Sequence, residues 1–207
     1  MIIQSVEFAG AIARPGGPPP EGDLPQIAFA GRSNVGKSSL INRLLGRTRK
    51  AVARVSSTPG KTREINFFRI GARLPDGRTV EFFLVDLPGY GYAKVPLAVR
   101  DSWKPLVEAF LSRTPALRGV VQLIDMRHDP TAGDRQLLQY IAELGVPALI
   151  VLTKSDKLGV TARTKQEQKL VAALGLPRDQ VIAFSAETGA GRDELLASLA
   201  GLLGEQP

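Results

Sequence analysis

The fold is decided by one stretch of the sequence, Gly31-Arg32-Ser33-Asn34-Val35-Gly36-Lys37-Ser38, which has the spacing GxxxxGK[ST]. A short apolar run at residues 26–30 precedes it, and apolar residues at helical spacing follow it within residues 37–45. A loop of this composition between a strand and a helix turns its backbone N–H groups around phosphate oxygens. We therefore predict a nucleotide phosphate site over residues Gly31 to Ser39, in which Lys37 reaches the β- and γ-phosphates and Ser38 ligates Mg²⁺.

Strand-like and helix-like segments alternate along the rest of the chain. Apolar or alternating runs predict six strands, at residues 26–30, 63–70, 79–85, 119–124, 146–152 and 181–184. Helical spacing predicts helices at residues 37–45, 99–111, 163–174 and 191–203, and one more after the fourth strand, where Thr131 and Asp134 resemble a capping box. Asp76-Gly77 marks a hairpin between the second and third strands. The order indicates an α/β fold, a mostly parallel six-stranded sheet with one antiparallel strand and helices on both faces.

Composition narrows the class of protein. The 207 residues include no cysteine and one histidine, His128, which excludes disulfide scaffolds, thiolate zinc sites and histidine-rich metal centres; we assign His128 no role. Residues 1–13 read as structure rather than as a signal peptide, and no apolar run approaches the ~18–20 residues of a membrane span. We expect a cytoplasmic protein, a monomer by default. Residues 1–22 form an N-terminal extension, a short strand plus a Pro/Gly-rich loop, and residues 23–207 form the nucleotide-hydrolysing domain.

The residues predicted to read the base follow the fifth strand. Thr153-Lys154-Ser155-Asp156 fits the pattern [NT]KxD. The Asp156 carboxylate offers two acceptor oxygens, which suit the adjacent N1–H and N2–H₂ donors of guanine, whereas adenine has no such pair of donors. The stem of Lys154 can lie along the base, and a backbone N–H in Ser185-Ala186-Glu187 can donate to guanine O6. The ligands predicted from these residues are GTP and GDP.

Two further segments are predicted to sense the γ-phosphate. Asp86-Leu87-Pro88-Gly89 fits DxxG, so Asp86 would hold Mg²⁺ through a water and the Gly89 N–H would contact the γ-phosphate. The segment at residues 47–62 would be the first switch. In its last part, Pro59-Gly60-Lys61-Thr62, directly before a strand, Thr62 is the favoured second Mg²⁺ ligand and Thr58 is the competing candidate.

Intrinsic hydrolysis is predicted to be slow. Position 90 is a tyrosine, where Ras-like enzymes carry the glutamine that orients the attacking water. We assign catalysis to Lys37, Thr62 and Gly89. Asn34 offers a carbonyl oxygen beside the phosphates, where a potassium ion could supply the charge that an arginine finger supplies elsewhere. The alternative is that Asn34 makes a hydrogen bond within the loop only.

Together these motifs resemble the EngB family of bacterial GTPases, within the TrmE-Era-EngA-septin-like P-loop GTPases. The similarity runs over nearly the whole chain, from about residue 22 to the last helix. Besides the phosphate loop, it rests on Pro59-Gly60-Lys61-Thr62, Ile65-Asn66-Phe67-Phe68, Asp86-Leu87-Pro88-Gly89-Tyr90-Gly91-Tyr92-Ala93-Lys94-Val95, and Asp125-Met126-Arg127-His128 followed by Pro130. The stretch at residues 88–95 is far more specific than the general GTPase signatures.

The resemblance implies a GTPase that assists assembly of the large ribosomal subunit and whose loss impairs cell division and septation. It implies Mg²⁺-ligand roles for Ser38 and Thr62, and it places Tyr90 among the hydrophobic residues that replace the catalytic glutamine. Some relatives use potassium through the asparagine that matches Asn34. Glu187 departs from the general GTPase pattern, which often has lysine there, so we assign the backbone contact and not a side-chain role.

The predicted first switch is strongly basic. The chain has 27 Lys and Arg against 20 Asp and Glu, a net charge of +7, which favours polyanionic partners. We predict that the basic residues of this segment track ribosomal RNA phosphates on the large subunit or its assembly intermediate; the alternative is a solvated loop that also neutralises the nucleotide. A different class of function stays open, a GTP-gated division or scaffold factor that acts on a protein target with negligible hydrolysis. The basic residues are Arg47, Arg49, Lys50, Arg54, Lys61 and Arg63.

Overall fold

The computed structural model describes residues 1–47, 52–53, 64–90 and 97–204. Over these residues seven strands and five α-helices alternate. The strands are β1 (Ile2–Ile12), β2 (Gln26–Gly31), β3 (Ile65–Arg73), β4 (Thr79–Asp86), β5 (Leu117–Asp125), β6 (Ala148–Thr153) and β7 (Val181–Ala183). The helices are α1 (Lys37–Leu44), α2 (Leu97–Arg113), α3 (Ala132–Glu143), α4 (Val160–Leu174) and α5 (Arg192–Gly204).

The sheet has the strand order β1-β3-β4-β2-β5-β6-β7. The five strands from β4 to β7 in that order run parallel, and β3 is antiparallel to both of its neighbours. The predicted α/β fold with one antiparallel strand is therefore confirmed. The predicted number of six strands is wrong, because β1 joins the sheet as a seventh strand.

β1 is a full strand of 11 residues along the edge of the sheet. Its ladder with β3 runs from Ile2 opposite Arg73 to Ile12 opposite Ile65. Most of its side chains are exposed, since they lie at the border of the sheet, and Phe8 makes an edge contact with Phe68 at 5.8 Å between ring centroids. Its polar residues and glycine weaken the alternation of apolar residues that marks a strand in a sequence.

Alternating side chains of the central strands divide the core between the two faces of the sheet. Ile27 and Phe29 of β2 point to the face covered by α1 and α5, where they join Leu40 and Leu195. Ala28 and Ala30 point to the opposite face, which is covered by α2 and α3. Since parallel strands are buried on both faces, this packing explains why β2, β5 and β6 read as nearly continuous apolar runs.

The predicted hairpin between β3 and β4 is present. Gly77 has a positive φ of 89°, and the Leu74 N–H donates to the Arg78 carbonyl at 2.8 Å. Asp76 accepts from the backbone and side chain of Arg78, and these hydrogen bonds hold the pKa of that carboxyl below its ordinary value. The turn lies at the end of the sheet opposite to Asp86, where β4 ends.

In the parts of the chain that the structure describes, no helix is both long and apolar enough to cross a membrane.

Candidate nucleotide-binding site

The phosphate loop, residues 31–38, connects β2 to α1 at the carboxyl end of the parallel strands. A Cβ on Gly31 would lie 2.9 Å from Val35 Cγ1 and 3.1 Å from Leu123 Cβ, so a larger residue does not fit there. Gly36 caps α1 with φ 102°, a conformation that side chains rarely adopt. Among the described residues, no side chain caps the first turn of α1, which leaves its N–H groups available to an anion.

Lys37 and Asp86 meet in the interior beneath this loop. The Lys37 ammonium group contacts the Asp86 carboxylate, and the two side chains are only 8% and 7% exposed. Asp86 is the last residue of β4, and the next residue, Leu87, donates its N–H to the Phe29 carbonyl of β2 at 3.0 Å. The structure thus brings the predicted phosphate-binding lysine and the first residue of DxxG together. Ser38 follows Lys37 in the first turn of α1 and is partly exposed.

Tyr90, the residue directly after DxxG, is bound to the phosphate loop through its backbone. The Ser33 N–H donates to the Tyr90 carbonyl at 2.9 Å, and the Tyr90 N–H donates to the Gly31 carbonyl at 3.3 Å. A Cβ on Gly89 would lie 3.0 Å from Ser33 Oγ and 3.1 Å from Ser33 N. Only glycine fits at position 89 without moving the phosphate loop.

The Tyr90 side chain belongs to a buried polar network at the start of α3. Its hydroxyl donates to Asp134 Oδ1 at 2.8 Å, and Gln122 Nε2 donates to that hydroxyl at 3.3 Å and to the Asp134 carbonyl at 2.7 Å. Tyr90 is 7% exposed and Asp134 is 2% exposed. Burial, with the adjacent Asp134 carboxylate, raises the pKa of the Tyr90 phenol far above its ordinary value. The phenol is therefore a neutral hydrogen-bond donor to α3.

Asp134 also caps the N-terminus of α3. Its Oδ2 accepts from the Thr131 N–H at 2.7 Å and from the Thr131 hydroxyl at 2.6 Å, and its own N–H donates to Thr131 Oγ1 at 3.3 Å. The predicted capping box of α3 is thereby confirmed. The sequence pattern identified the cap but not its connection to Tyr90, which lies 44 positions earlier.

At the base end, Thr153-Lys154-Ser155-Asp156 begins at the last residue of β6 and is bound to the phosphate loop. Thr153 Oγ1 donates to the Val35 carbonyl at 2.7 Å, and Lys154 Nζ donates to the Asn34 carbonyl at 2.8 Å. Lys154 has a left-handed backbone with φ 60°. Two of the predicted nucleotide segments, far apart in sequence, therefore form one rigid unit.

Asp156 lies beside the last predicted segment, Ser185-Ala186-Glu187. Ser185 Oγ donates to Asp156 Oδ1 at 2.7 Å, and Lys157 pairs with Asp156 Oδ2 at 2.9 Å. The hydrogen bond from Ser185 and that from Lys157 lower the pKa of Asp156 from its ordinary value. The carboxylate stays ionised and oriented, as an acceptor for the guanine N–H groups requires.

Asp125, at the end of β5, is a site residue to which the sequence analysis gave no role. It accepts from Arg127 Nε and Nη2 at 2.9 and 2.8 Å and pairs with Lys154 Nζ at 2.9 Å. Burial opposes its charge, but the hydrogen bonds from Arg127 and Lys154 hold the pKa of Asp125 well below its ordinary value. A cleft of about 240 Å³ lies between this residue and the phosphate loop, with Arg32, Asn34, His128 and Lys154 in its lining.

Several predicted residues lie outside the described part of the chain. They are Gly60, Lys61, Thr62 and the competing Thr58 of the first switch, and the basic residues Arg49, Lys50, Arg54 and Arg63. Arg47 is described and is exposed just after α1. The metal and RNA roles of this segment stay predictions.

Comparisons with known proteins agree with this geometry. The family model of the 50S ribosome-binding GTPases matches residues 26–154. A probable GTP-binding protein EngB from Gemmatimonas aurantiaca is 49% identical, with 98% of this chain and 95% of that protein covered. Another, from Geobacter metallireducens, is 48% identical, with 98% and 94% covered.

Solved structures show the same fold. The crystal structure of a probable GTP-binding protein EngB has a TM-score of 0.65 at 24% identity and covers 87% of this chain and 99% of its own. Era from Aquifex aeolicus, bound to GDP and AlF4⁻, has a TM-score of 0.68 at 24% identity, with 88% and 57% covered. The sequence is related to these proteins over nearly its full length, and the fold and the clustered nucleotide motifs agree with that relationship. The chain therefore belongs to the EngB family of GTP-binding proteins and is a P-loop GTPase.

Proposed function

We propose that this GTPase acts as a nucleotide-dependent switch in the assembly of the large ribosomal subunit, and that normal cell division and septation depend on it through this role. The observation that carries the proposal is the match to the 50S ribosome-binding GTPases over residues 26–154, which include the phosphate loop, DxxG and Lys154. In this proposal the GTP form binds an assembly intermediate and hydrolysis releases it. The proposed site of action is the cytoplasm, where subunits are assembled.

Guanine recognition is proposed to depend on Asp156 and the Ser185–Ala186–Glu187 segment. The Asp156 carboxylate accepts from N1–H and N2–H₂ of the base, and Ser185 keeps it in place at 2.7 Å. Adenine would leave this ionised group without donors, which is costly in a partly desolvated site. The stem of Lys154, held by its ammonium on Asn34 and Asp125, is placed to cover one face of the base.

The phosphate end fits a Mg²⁺ ion in its donor chemistry. Mg²⁺ prefers hard oxygen ligands and commonly binds through one or two protein groups plus phosphates. Ser38 follows Lys37 in the first turn of α1, and the buried Asp86 carboxylate contacts the Lys37 ammonium group. The described residues contain no cluster of three or more His, Cys, Asp or Glu that would compete. We assign Ser38 as a direct ligand, Asp86 through a water and Thr62 as the GTP-dependent ligand. Bound there, Mg²⁺ neutralises charge on the β- and γ-phosphates.

Slow intrinsic hydrolysis is the expectation from Tyr90. Its hydroxyl donates to Asp134 in the interior, and we do not expect a phenol bound there to orient water as a glutamine does. Lys37, Thr62 and the Gly89 N–H are the groups proposed to stabilise the transferring phosphoryl. A potassium ion at Asn34 is a further proposal, tested by comparing hydrolysis rates in potassium and sodium chloride at equal ionic strength.

The test of the function is co-sedimentation with purified large and small subunits, in GDP or in a non-hydrolysable GTP analogue. We expect binding to the large subunit or its immature precursor with the analogue only. Reversing the charge at Arg49 and Lys50 should weaken this binding and reduce its dependence on salt concentration. The matched control reverses Arg73 and Arg113, which lie at the end of the sheet away from the nucleotide.

The alternative, a GTP-gated factor with a protein target, makes the opposite prediction. Reversal at Arg49 and Lys50 would then leave target binding intact, and phosphate release would stay at background with ribosomal particles and potassium present. Absence of nucleotide-dependent binding to mature and immature large subunits alike would overturn the assembly proposal while leaving the GTPase activity of the chain in place.

A further inference from the structure

The loop proposed to contact guanine O6 is held by an arginine from a different element. Arg43 lies in the last turn of α1, whose first turn carries Lys37 of the phosphate loop. Its Nε donates to the Ala186 carbonyl at 2.6 Å, and its Nη2 contacts the Glu187 carbonyl. One guanidinium group therefore binds two successive peptide carbonyls, 143 and 144 positions away.

This contact fixes the direction of the backbone donors. In a trans peptide the C=O and the following N–H point in opposite directions. A donor that holds the Ala186 carbonyl therefore turns the Glu187 N–H away from α1. The next peptide, between Glu187 and Thr188, is fixed at both ends. Its carbonyl contacts Arg43, and its N–H donates to Ser185 Oγ at 3.0 Å. Ser185 Oγ in turn donates to Asp156.

The N–H groups of Ala186 and Glu187 have no hydrogen-bond acceptor among the residues that the structure describes. The neighbouring N–H groups of Ser185, Thr188, Gly189 and Ala190 are all bound within the loop. The loop thus presents the Ala186 and Glu187 N–H groups as two adjacent donors. Arg43 holds the Ala186–Glu187 peptide, which carries the second of these N–H groups.

A second arginine returns the contact. Arg192, the first residue of α5, donates from Nε to the Arg43 carbonyl at 3.1 Å and from Nη2 to the Leu44 carbonyl at 2.9 Å. Both carbonyls lie at the end of α1, and the Arg43 carbonyl also accepts from the Gly46 N–H at 3.2 Å. Arg43 therefore joins α1 to the loop, and Arg192 joins α1 to the helix that follows the loop. Helix α1 is only 8 residues long.

We propose that Arg43 is a positioning residue for guanine recognition: it fixes the Ala186–Glu187 peptide at a set distance from the phosphate loop, and Arg192 supports it. The proposal rests on the guanine site described above. Arg43 positions the loop that contacts the base and has no part in binding the γ-phosphate, so its loss should weaken the binding of GDP and GTP equally. It acts at O6, so GDP and inosine diphosphate, which share O6, should also weaken equally.

The experiment measures the affinity and dissociation rate of GDP, GTP and inosine diphosphate for the full chain and for Arg43→Gln. We expect about tenfold weaker binding of all three ligands, the effect of losing roughly one hydrogen bond from a charged group. The KM for GTP should rise while kcat stays unchanged. Arg192→Gln should show a smaller change of the same kind.

The matched control is Arg113→Gln, since Arg113 also lies in the last turn of its helix, α2, but far from the loop. It should leave all three affinities unchanged. Affinities of Arg43→Gln within twofold of the unmodified chain would overturn the proposal, and so would a reduced number of binding sites at unchanged affinity, which indicates a purely structural role. If the unmodified chain itself failed to prefer GDP over ADP, the guanine site would be wrong rather than the role of Arg43.

Discussion

The two ends of the nucleotide site are held in different ways. At the phosphate end, the decisive contacts join one side chain to another, Lys37 to Asp86 and Tyr90 to Asp134. At the base end, side-chain pairs such as Ser185 with Asp156 are accompanied by contacts from a side chain to a backbone carbonyl, as Lys154 and Arg43 make. A side chain can exchange its partner when a ligand arrives, whereas a backbone held at several points stays in place. The difference suits a switch that reads the γ-phosphate and binds the base in both states.

The largest effect is expected at Lys37. Lys37→Ala leaves the Asp86 carboxylate buried without its cation, so we expect the free energy of unfolding to fall by about 3–5 kcal/mol. Nucleotide binding should be lost as well. Chemical denaturation of the nucleotide-free protein measures the first effect. The double variant Lys37→Ala with Asp86→Asn should recover part of the stability, and no recovery would show that the ion pair is not the cause.

The next effect tests the base end. Asp156→Asn replaces one acceptor oxygen by a donor, so we expect GDP to bind at least roughly a hundredfold more weakly and xanthosine diphosphate to bind more tightly. Competition with a fluorescent nucleotide measures both affinities. Asp23→Asn, at an exposed position before β2, is the control. An unchanged preference for guanine would show that another group reads the base.

A smaller effect is expected in the network at α3. Asp134→Ala removes the capping box and the acceptor of the Tyr90 hydroxyl, so we expect a loss of about 2–3 kcal/mol in unfolding free energy, against about 1 kcal/mol for Tyr90→Phe. The double variant should lose less than the sum, because both changes break one shared hydrogen bond. Strict additivity would mean that the two residues act independently.

The smallest effect concerns pH. The folded pKa of Asp125 is depressed, so the stability that it contributes is complete above its unfolded pKa of about 4 and is lost as the pH falls below that value. Asp125→Asn should therefore reduce the difference in unfolding free energy between pH 6 and pH 3. Asp23→Asn, at an exposed position, should leave that difference as it is. Equal pH dependence of both variants would rule out the pairing with Arg127 and Lys154 as its source.

Motifs with short spacing could be predicted from the sequence, because their geometry is local. The phosphate loop around Gly36, the α3 cap at Thr131 and the hairpin at Gly77 each depend on a few successive backbone angles. The alternation of apolar runs then sufficed for the order of strands and helices. Spatial proximity of DxxG and [NT]KxD to the phosphate loop followed from the parallel sheet, whose strands end at the same edge.

The contacts that hold these motifs in place could not be predicted in the same way. The Tyr90–Asp134 bond spans 44 positions and the Arg43–Ala186 bond spans 143. Such pairs depend on how helices pack across the sheet, and neither an arginine at the end of a helix nor a tyrosine after a glycine has a distinctive local pattern. β1 escaped full recognition for a related reason, because an exposed edge strand needs little apolar alternation.

Gln122 has a consequence for how α3 sits on the sheet. Its amide is fully buried in the middle of β5, on the face of the sheet opposite to the side chains of Val121 and Leu123, and it donates to the Asp134 carbonyl of α3. Hydrophobic contact has no preferred direction, so by itself it does not fix the position of α3 along β5. The hydrogen bond from Gln122 to the Asp134 carbonyl is directional, so it favours one position of α3 along β5 over the others. Gln122 therefore fixes the position of α3 on β5, and with it the position of Asp134, the acceptor of the Tyr90 hydroxyl.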